Sequence, residues 1–384
     1  MTTIGESPVT AGSQTRSQQA ESPFGLPAGW WPVAHREEVR HHPGAFRLGN
    51  QDLAIYRDLS GAVRAVADRC PHRRLPLSMG RLTEDGSIQC PYHGWSFDGA
   101  TGRCTAIPNL SAEERIPNGI KVKAFSAAEN IAELVGYGLR TNKLAPPVGP
   151  PTGEEPDQGT TMYDSSVADE IVFVWTGAEP PTTTPGPTST TVSQLTSATG
   201  TIQVRAPYTA VAEAVLLNPG SALRLGSLIG AGDELCSPVV TSRAGTVAVQ
   251  RERYTYDLPR ASTFEPLSHR VTASTITTVA ITGLTRVEVA AGRRSPGCEV
   301  TIALTPIDSY RTVVRWRAVL TGPSRRFFAL GAQALSAAYQ VAGRASDECE
   351  ELSDSMSRTT DPGVRALRRA REEAHQRTIE GEGQ

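Results

Sequence analysis

Two short stretches of this chain hold residues that could bind metal. Cys70-Pro71-His72 is followed, after a gap of 17 residues, by Cys90-Pro91-Tyr92-His93. Each supplies one thiol and one imidazole from a turn-like sequence that carries a proline. Such a set can divide over the two irons of a [2Fe–2S] cluster, with soft thiolates on one iron and imidazoles on the other. A Cys2His2 zinc site competes for the same four residues. It spaces Cys from Cys and His from His, with the histidines on a helix, whereas here each loop supplies one of each. Chance is a poor account, since two of six cysteines and two of seven histidines fall in one 24-residue window. Cys104, Cys236, Cys298 and Cys349 have no Cys or His neighbour at ligand spacing and read as small apolar core residues. His41 and His42 are adjacent on an Arg-rich loop, cannot easily turn toward one ion, and read as solvated.

The ligand loops need a rigid frame. Residues 44–58 (GAFRLGNQDLAIYRD) and 62–68 (AVRAVAD) alternate like short antiparallel strands, with a turn signal at Gly49-Asn50. Pro71 and Pro91 stiffen the loops, and Gly94 lets the backbone fold closely. Beyond residue 200 the β-branched segments 201–206, 238–250, 275–289, 298–304 and 311–320 read as an antiparallel sheet. A long helix is expected from about Ser324, with Phe327, Leu330, Ala334, Ala338, Val341, Ala345, Cys349, Leu352 and Met356 tracing one face. Asp361-Pro362-Gly363 then opens a last helix whose near-cancelling charges suggest a solvated or subunit-bridging face.

The run CPHRRLPLSMGRL followed by CPYHGWSFDGATGRC resembles the Rieske domain of the non-haem iron ring-hydroxylating oxygenases and O-demethylases. The resemblance implies a [2Fe–2S] cluster on Cys70, His72, Cys90 and His93, shielded on one side by Trp95. It also implies a potential at the low end of a range of about −150 to +300 mV. The implied fold class is α+β: an N-terminal Rieske β-sandwich, then an antiparallel helix-grip (START-like) sheet domain with a long C-terminal helix. The expected divisions are a disordered lead at 1–24, the Rieske domain at 25–125 and an inserted loop region at 126–166. The helix-grip domain follows at 167–355 and a charged tail helix at 356–384. Segments 121–125 and 167–177 resemble the two family strands that close the Rieske domain, with the insertion between them. The Thr/Pro-rich segment 179–200 reads as linker.

Members of this family reduce oxygen at a separate iron held by two histidines and a carboxylate. Their histidines follow an Asp-x-x-His-x-x-x-x-His pattern on a helix that matches 211–230 here. In that match Asn218 stands for the bridging Asp, Ser221 for the first His and Gly226 for the second. After His93 the chain has only His269 and His375, so the pattern is missing. Asp347, Glu348, Glu350, Glu351 and Asp354 lie where the third ligand would be sought, and they also read as the solvent face of a helix. Mononuclear Fe(II) is therefore expected to be absent from this chain.

Composition narrows the partners. The 384 residues carry 38 Lys+Arg against 40 Asp+Glu, a formal charge of −2, which argues against binding nucleic acid or an anionic membrane through bulk charge. The polar N-terminus has no apolar signal region, and Phe327 to Gly343 is too interrupted to span a membrane, so a cytoplasmic location is expected. Gly226-x-x-x-Gly230-x-Gly232 lacks the spacing and Lys-Ser/Thr of a phosphate loop. The leading expectation is an electron-transfer subunit in a trimeric or hexameric assembly. Its partner chain would carry the intact mononuclear iron site, and an external ferredoxin or flavin reductase would supply electrons. The alternatives are a self-sufficient mono- or dioxygenase or demethylase with an unusual iron site, and a scaffold with a merely structural cluster.

Overall fold

The computed structural model describes residues 24–111, 113–130, 171–182, 197–222, 234–243, 245–256, 270–291, 297–321, 356 and 358–381. The expected helix from Ser324 to 355 lies outside the described residues, as do 1–23, most of the 126–166 segment, and Gly226, His269, Asp347, Glu348, Glu350, Glu351 and Asp354.

The strands build successive layers, and the alternation of their side chains explains why. In the N-terminal part, β1 (Trp30–His35), β2 (Gly44–Leu48), β3 (Gln51–Arg57) and β4 (Val63–Ala67) are the longer strands. Gly49 and Asn50 form the expected turn between β2 and β3. The short β5 (Arg81–Leu82), β6 (Ile88–Gln89), β7 (Ser96–Phe97) and β8 (Cys104–Ala106) make a separate four-stranded sheet. Then come β9 (Ala124–Phe125), β10 (Ala127–Asn130) and β11 (Ile171–Trp175). The sheet orders are β2-β3-β4-β9 and β1-β11-β10.

Successive strand residues point to opposite faces, so β3 serves two cores. Leu53 and Ile55 pack with Phe24, Trp31, Leu48, Val172 and Val174. Ala54 and Tyr56 pack on the other side with Cys70, Cys90, Leu77, Ile88 and Phe97. β11 does the same one layer further on. Its Val172 and Val174 enter the core of Leu53, while Ile171 and Phe173 pack against Ala303 with Trp30 and Leu284. This explains the continuous apolar run IVFVW, as a strand buried on both faces must be.

The second sheet has the order β12-β18-β17-β16-β15-β14-β13, antiparallel at every pairing. Its strands are β12 (Ser197–Val204), β13 (Val239–Arg243), β14 (Thr246–Tyr256), β15 (Arg270–Ala280), β16 (Leu284–Ala291), β17 (Gly297–Pro306) and β18 (Thr312–Thr321). Segments 238–250 and 275–289 are thus each split by a hairpin turn. The inner face buries Val247, Val249, Val279, Val287, Val300, Ile302, Leu304 and Trp316 against two helices. These are α1 (Tyr208–Leu217) and the C-terminal helix, here α3 (Pro362–Gly381); a four-residue α2 (Pro219–Ala222) lies between them. Gly200 pairs across from Trp316, and a Cβ there would come within 2.6 Å of the indole.

The structure corrects three expectations. Phe24 is buried in the core, so a disordered lead cannot extend to residue 24. Residues 127–130 of the expected loop region form β10, paired to β11. The C-terminal helix is not a solvated tail: Val364, Leu367 and Ala370 are buried at a spacing of three. Its Arg368 and Arg371 both reach the buried Glu213 of α1 at 2.7 Å. Asp361 does cap it, accepting the Val364 N–H at 3.0 Å. Among the described residues no helix is long and apolar enough to cross a membrane.

The two parts of the chain meet where β1 and β11 lie on β17. The Thr305 hydroxyl donates to the Pro32 carbonyl at 2.8 Å, and Arg315 of β18 pairs with Glu38 at 2.6 Å. Burial alone would raise the Glu38 carboxyl, but the Arg315 hydrogen bond and charge outweigh it and hold the group below its usual value. His35 lies beside this pair, buried, its Nε2 without a hydrogen-bond partner among the described residues. Burial first, and then the Arg315 charge, lower its pKa against the opposing charges of Glu38 and Glu37.

Two expectations follow from this seam. Phe173→Ala leaves a void between β11 and β17 and should lower the unfolding free energy by about 3–5 kcal/mol, read by denaturant titration; no change would contradict the packing. Below its ordinary imidazole value of 6.5 the unfolded chain protonates His35 while the folded chain resists. Stability is therefore complete above that value and declines as pH falls below it. His35→Phe should flatten this decline in melting temperatures taken between about pH 7 and about pH 5.5.

Candidate metal centre

All four candidate ligands singled out in the sequence come together on two loops of the N-terminal part. The two loops that carry them share one backbone plan. The Cys70 N–H donates to the Leu75 carbonyl (2.8 Å) and the Arg74 N–H returns to the Cys70 carbonyl (2.9 Å). In the second loop the Cys90 N–H donates to Trp95 (2.8 Å) and the Gly94 N–H to Cys90 (3.1 Å). Each loop is thus a closed turn with its cysteine at the base and its histidine near the tip. Both turns close on a left-handed residue four positions after the cysteine, Arg74 (φ 63) in the first and Gly94 (φ 70) in the second.

The loops are held from below. Asp68 accepts the backbone N–H (2.7 Å) and the hydroxyl (2.6 Å) of Ser78, fastening the first loop to the short 3-10 turn Leu77–Met79. The Gln89 side chain donates to the Gly94 carbonyl at 3.3 Å. A third segment closes over the second loop, since a Cβ on Gly94 would stand 2.9 Å from Pro108.

The donor atoms sort by depth. Cys70 and Cys90 are buried, within reach of one another. His72 is exposed and His93 half-buried, with their rings 4.5 Å apart. Trp95 reaches across to the other loop, its indole stacked on His72 at 4.5 Å and 4°. Burial pushes the Cys70 thiol up to about 11; a hydrogen bond from the His72 backbone opposes this, and the facing Cys90 adds to it. Such a thiol is neutral unless a cation compensates its charge, as bound iron does.

This arrangement fits a [2Fe–2S] cluster, with two thiolates for an inner iron and two imidazoles for an outer one. A tetrahedral zinc needs four ligands around one centre. The two buried thiols face one another and the two imidazole rings face one another, so the four candidate ligands stand as two pairs.

The second, mononuclear site fares differently. Asn218 ends α1, and its side-chain oxygen accepts the Ser221 N–H at 3.0 Å, capping the next helical turn. Ser221 is exposed. The end of α1 is also occupied by cations. The Arg251 Nε donates to the Leu216 carbonyl (3.1 Å) and an Arg253 Nη to the Leu217 carbonyl (3.0 Å). Both arginines pair with Glu234, and Arg251 grips both oxygens of Asp361 at 2.9 Å. At this helix end the described residues are thus an amide used as a cap, an exposed hydroxyl and two guanidinium groups. Sequence reasoning found Asn218 and Ser221 but missed the two arginines, whose carboxylate partners are distant in the chain.

Residues 29–126 match the Rieske [2Fe-2S] domain family. Pheophorbide a oxygenase of Oryza sativa subsp. japonica is 45% identical over 116 residues, 29% of this chain and 21% of that protein. Oxidoreductase NdmD of Pseudomonas putida is 38% identical over 124 residues, 32% of this chain and 20% of that protein. The oxygenase subunit of 3-chlorobenzoate-3,4-dioxygenase of Comamonas testosteroni is 34% identical over 119 residues, 30% and 27% of the two chains. The matched stretch thus spans only a fifth to about a quarter of each relative's length. Among solved structures, dicamba monooxygenase bound to 3,6-dichlorosalicylic acid superposes with a TM-score of 0.60 at 18% identity, over 91% of this chain and 97% of that one. NdmB of Pseudomonas putida CBB5 gives 0.54 at 15% identity, over 89% and 94%. These likenesses establish the fold.

Gly94→Ala sets a Cβ against Pro108 and forces a left-handed alanine, at roughly 1–2 kcal/mol for the backbone alone. The variant should retain less iron per chain through purification. Full iron content with an unchanged melting temperature would contradict this account of the second loop.

Proposed function

From the premise that this chain carries a Rieske [2Fe–2S] domain on a Rieske-oxygenase fold, we propose that it is the electron-transfer subunit of a hetero-oligomeric Rieske oxygenase. Its partner chain carries an intact mononuclear iron site, and the electrons come from an external ferredoxin or flavin reductase. The assembly is trimeric or hexameric and cytoplasmic.

One observation supports the reading: two cysteines and two histidines suited to a cluster lie in the same chain as an α1 terminus that carries Asn218 and two arginines. When bound, the cluster supplies a one-electron carrier, and imidazole ligation places its potential above that of an all-thiolate cluster. Cys70 and Cys90 would hold the inner iron away from water, as their burial allows. His72 and His93 would hold the outer iron and link it to the surface through their second ring nitrogens. Asn218, an amide, offers no carboxylate to bridge to a neighbouring imidazole.

The test is the iron and acid-labile sulfide content of anaerobically purified protein, with a low-temperature EPR spectrum after dithionite reduction. Two irons and two sulfides per chain with a Rieske spectrum are expected, and oxygenation should require a second protein. A third, oxygen-responsive Fe(II) would overturn the reading in favour of a self-sufficient oxygenase.

A further inference from the structure

The two ligand loops close alike but are held from below by different chemistry. Under the second loop the support is a neutral amide. Gln89, the residue before Cys90, donates to the Gly94 carbonyl and to the Ser96 hydroxyl, each at 3.3 Å, and accepts from Arg81 at 2.9 Å. Under the first loop the support is an anion. Asp68, two residues before Cys70, takes the Ser78 N–H on one oxygen at 2.7 Å and the Ser78 hydroxyl on the other at 2.6 Å. Among the described residues it joins no ion pair, although Arg69 follows it directly, whereas Asp52 and Asp58, close by in the chain, each pair with an arginine.

Ser78 lies in a turn that reaches both loops. Its neighbour Leu77 is buried in the core that also holds Cys70 and Cys90. Gly80 ends the turn against the base of the second loop, where a Cβ would stand 1.9 Å from the Gln89 carbonyl oxygen. β5 begins at the next residue, and its Arg81 pairs with Gln89. The Asp68 side chain therefore ties the entry of the first loop to a turn that abuts the second, and the spacing of the two thiols depends on that tie. The carboxylate also stands close to the cluster position, since two residues of extended chain span at most about 7 Å. Asp68 is half-buried, and a partly buried charge is screened much less than one in open solvent.

We propose that Asp68 is a positioning residue of the metal centre, holding the two ligand loops in register, and that its fixed negative charge lowers the potential of the cluster they carry. This rests on the [2Fe–2S] reading of the four ligands above. Reduction adds one electron to the cluster, and an anion without a cation partner beside it opposes the added charge. The neutral Gln89 gives the second loop the same mechanical support with no such effect.

The test is a redox titration of the full, cluster-loaded chain, followed by its EPR signal, together with the rate at which a chelator removes iron. Asp68→Asn keeps both hydrogen bonds, because the amide oxygen accepts the Ser78 N–H while the amide nitrogen donates to the Ser78 hydroxyl oxygen. Only the charge is lost. This variant should retain the parental iron content and line shape. At a fixed potential its ratio of reduced to oxidised cluster should rise roughly tenfold, which is about 59 mV for one electron. Ser78→Ala keeps the charge and one of the two bonds, so its potential should stay near the parental value while iron is lost faster. Asp68→Ala, without charge or bonds, should lose iron fastest. A parental potential in Asp68→Asn would overturn the proposal. An equal shift in Ser78→Ala would also overturn it, by tracing the effect to loop geometry and not to charge. Iron loss from Asp68→Asn as fast as from Asp68→Ala would overturn the positioning role of the two bonds. A parent chain without a Rieske spectrum would instead remove the ligand reading itself, before any variant is compared.

Discussion

Two strands, β3 and β11, have to satisfy two cores each, and the placement of the metal centre depends on that. Successive residues Leu53, Ala54, Ile55 and Tyr56 enter different cores, as do Ile171, Val172, Phe173 and Val174. A register slip of one residue in either strand would exchange those two sets at once. The two cysteines are members of the core on the Ala54 and Tyr56 face of β3, so the placement of the thiol pair depends on the register of that strand. Any substitution that loosens β3 is felt at the cluster loops, although no residue of β3 is a ligand.

Much of this could be read from the chain. That Cys70, His72, Cys90 and His93 come close together was legible because paired Cys and His at short spacing are scarce in a sequence with so few of either. The β2–β3 turn was legible because Gly49-Asn50 is a turn signal between alternating runs. What escaped notice depended on long-range partners. WWPVAH does not alternate and contains Pro32, yet it forms β1 because β11 supplies the missing pairing. Arg368 and Arg371 read as solvent charges until Glu213, far away on α1, is placed beneath them. Arg251 and Arg253 gave no signal in a β-rich segment, since neither the helix carbonyls nor the carboxylates they bind are local.

The large domain, a seven-stranded sheet covered by α1 and α3, is fastened by ion pairs between helix and sheet and between the two helices. Breaking such a pair by removing one partner strands a buried charge, which is far more destabilising than the pair is stabilising. The Glu213, Arg251 and Asp361 networks therefore act as locks on the relative placement of α1, α3 and the sheet. The helix end is thereby tied at once to the sheet and to the start of the C-terminal helix.

The pairing of β10 with β11 has a further implication. Asn130 and Ile171 are cross-strand partners, so the chain leaves the sheet and re-enters it at adjacent positions. Whatever its length, the connection between them starts and ends at the same rung of a ladder. The entropy of closing such a loop grows only with the logarithm of its length. A change in chain length between 130 and 171 therefore leaves the rung that anchors both ends of the connection where it is, and costs little in closure entropy.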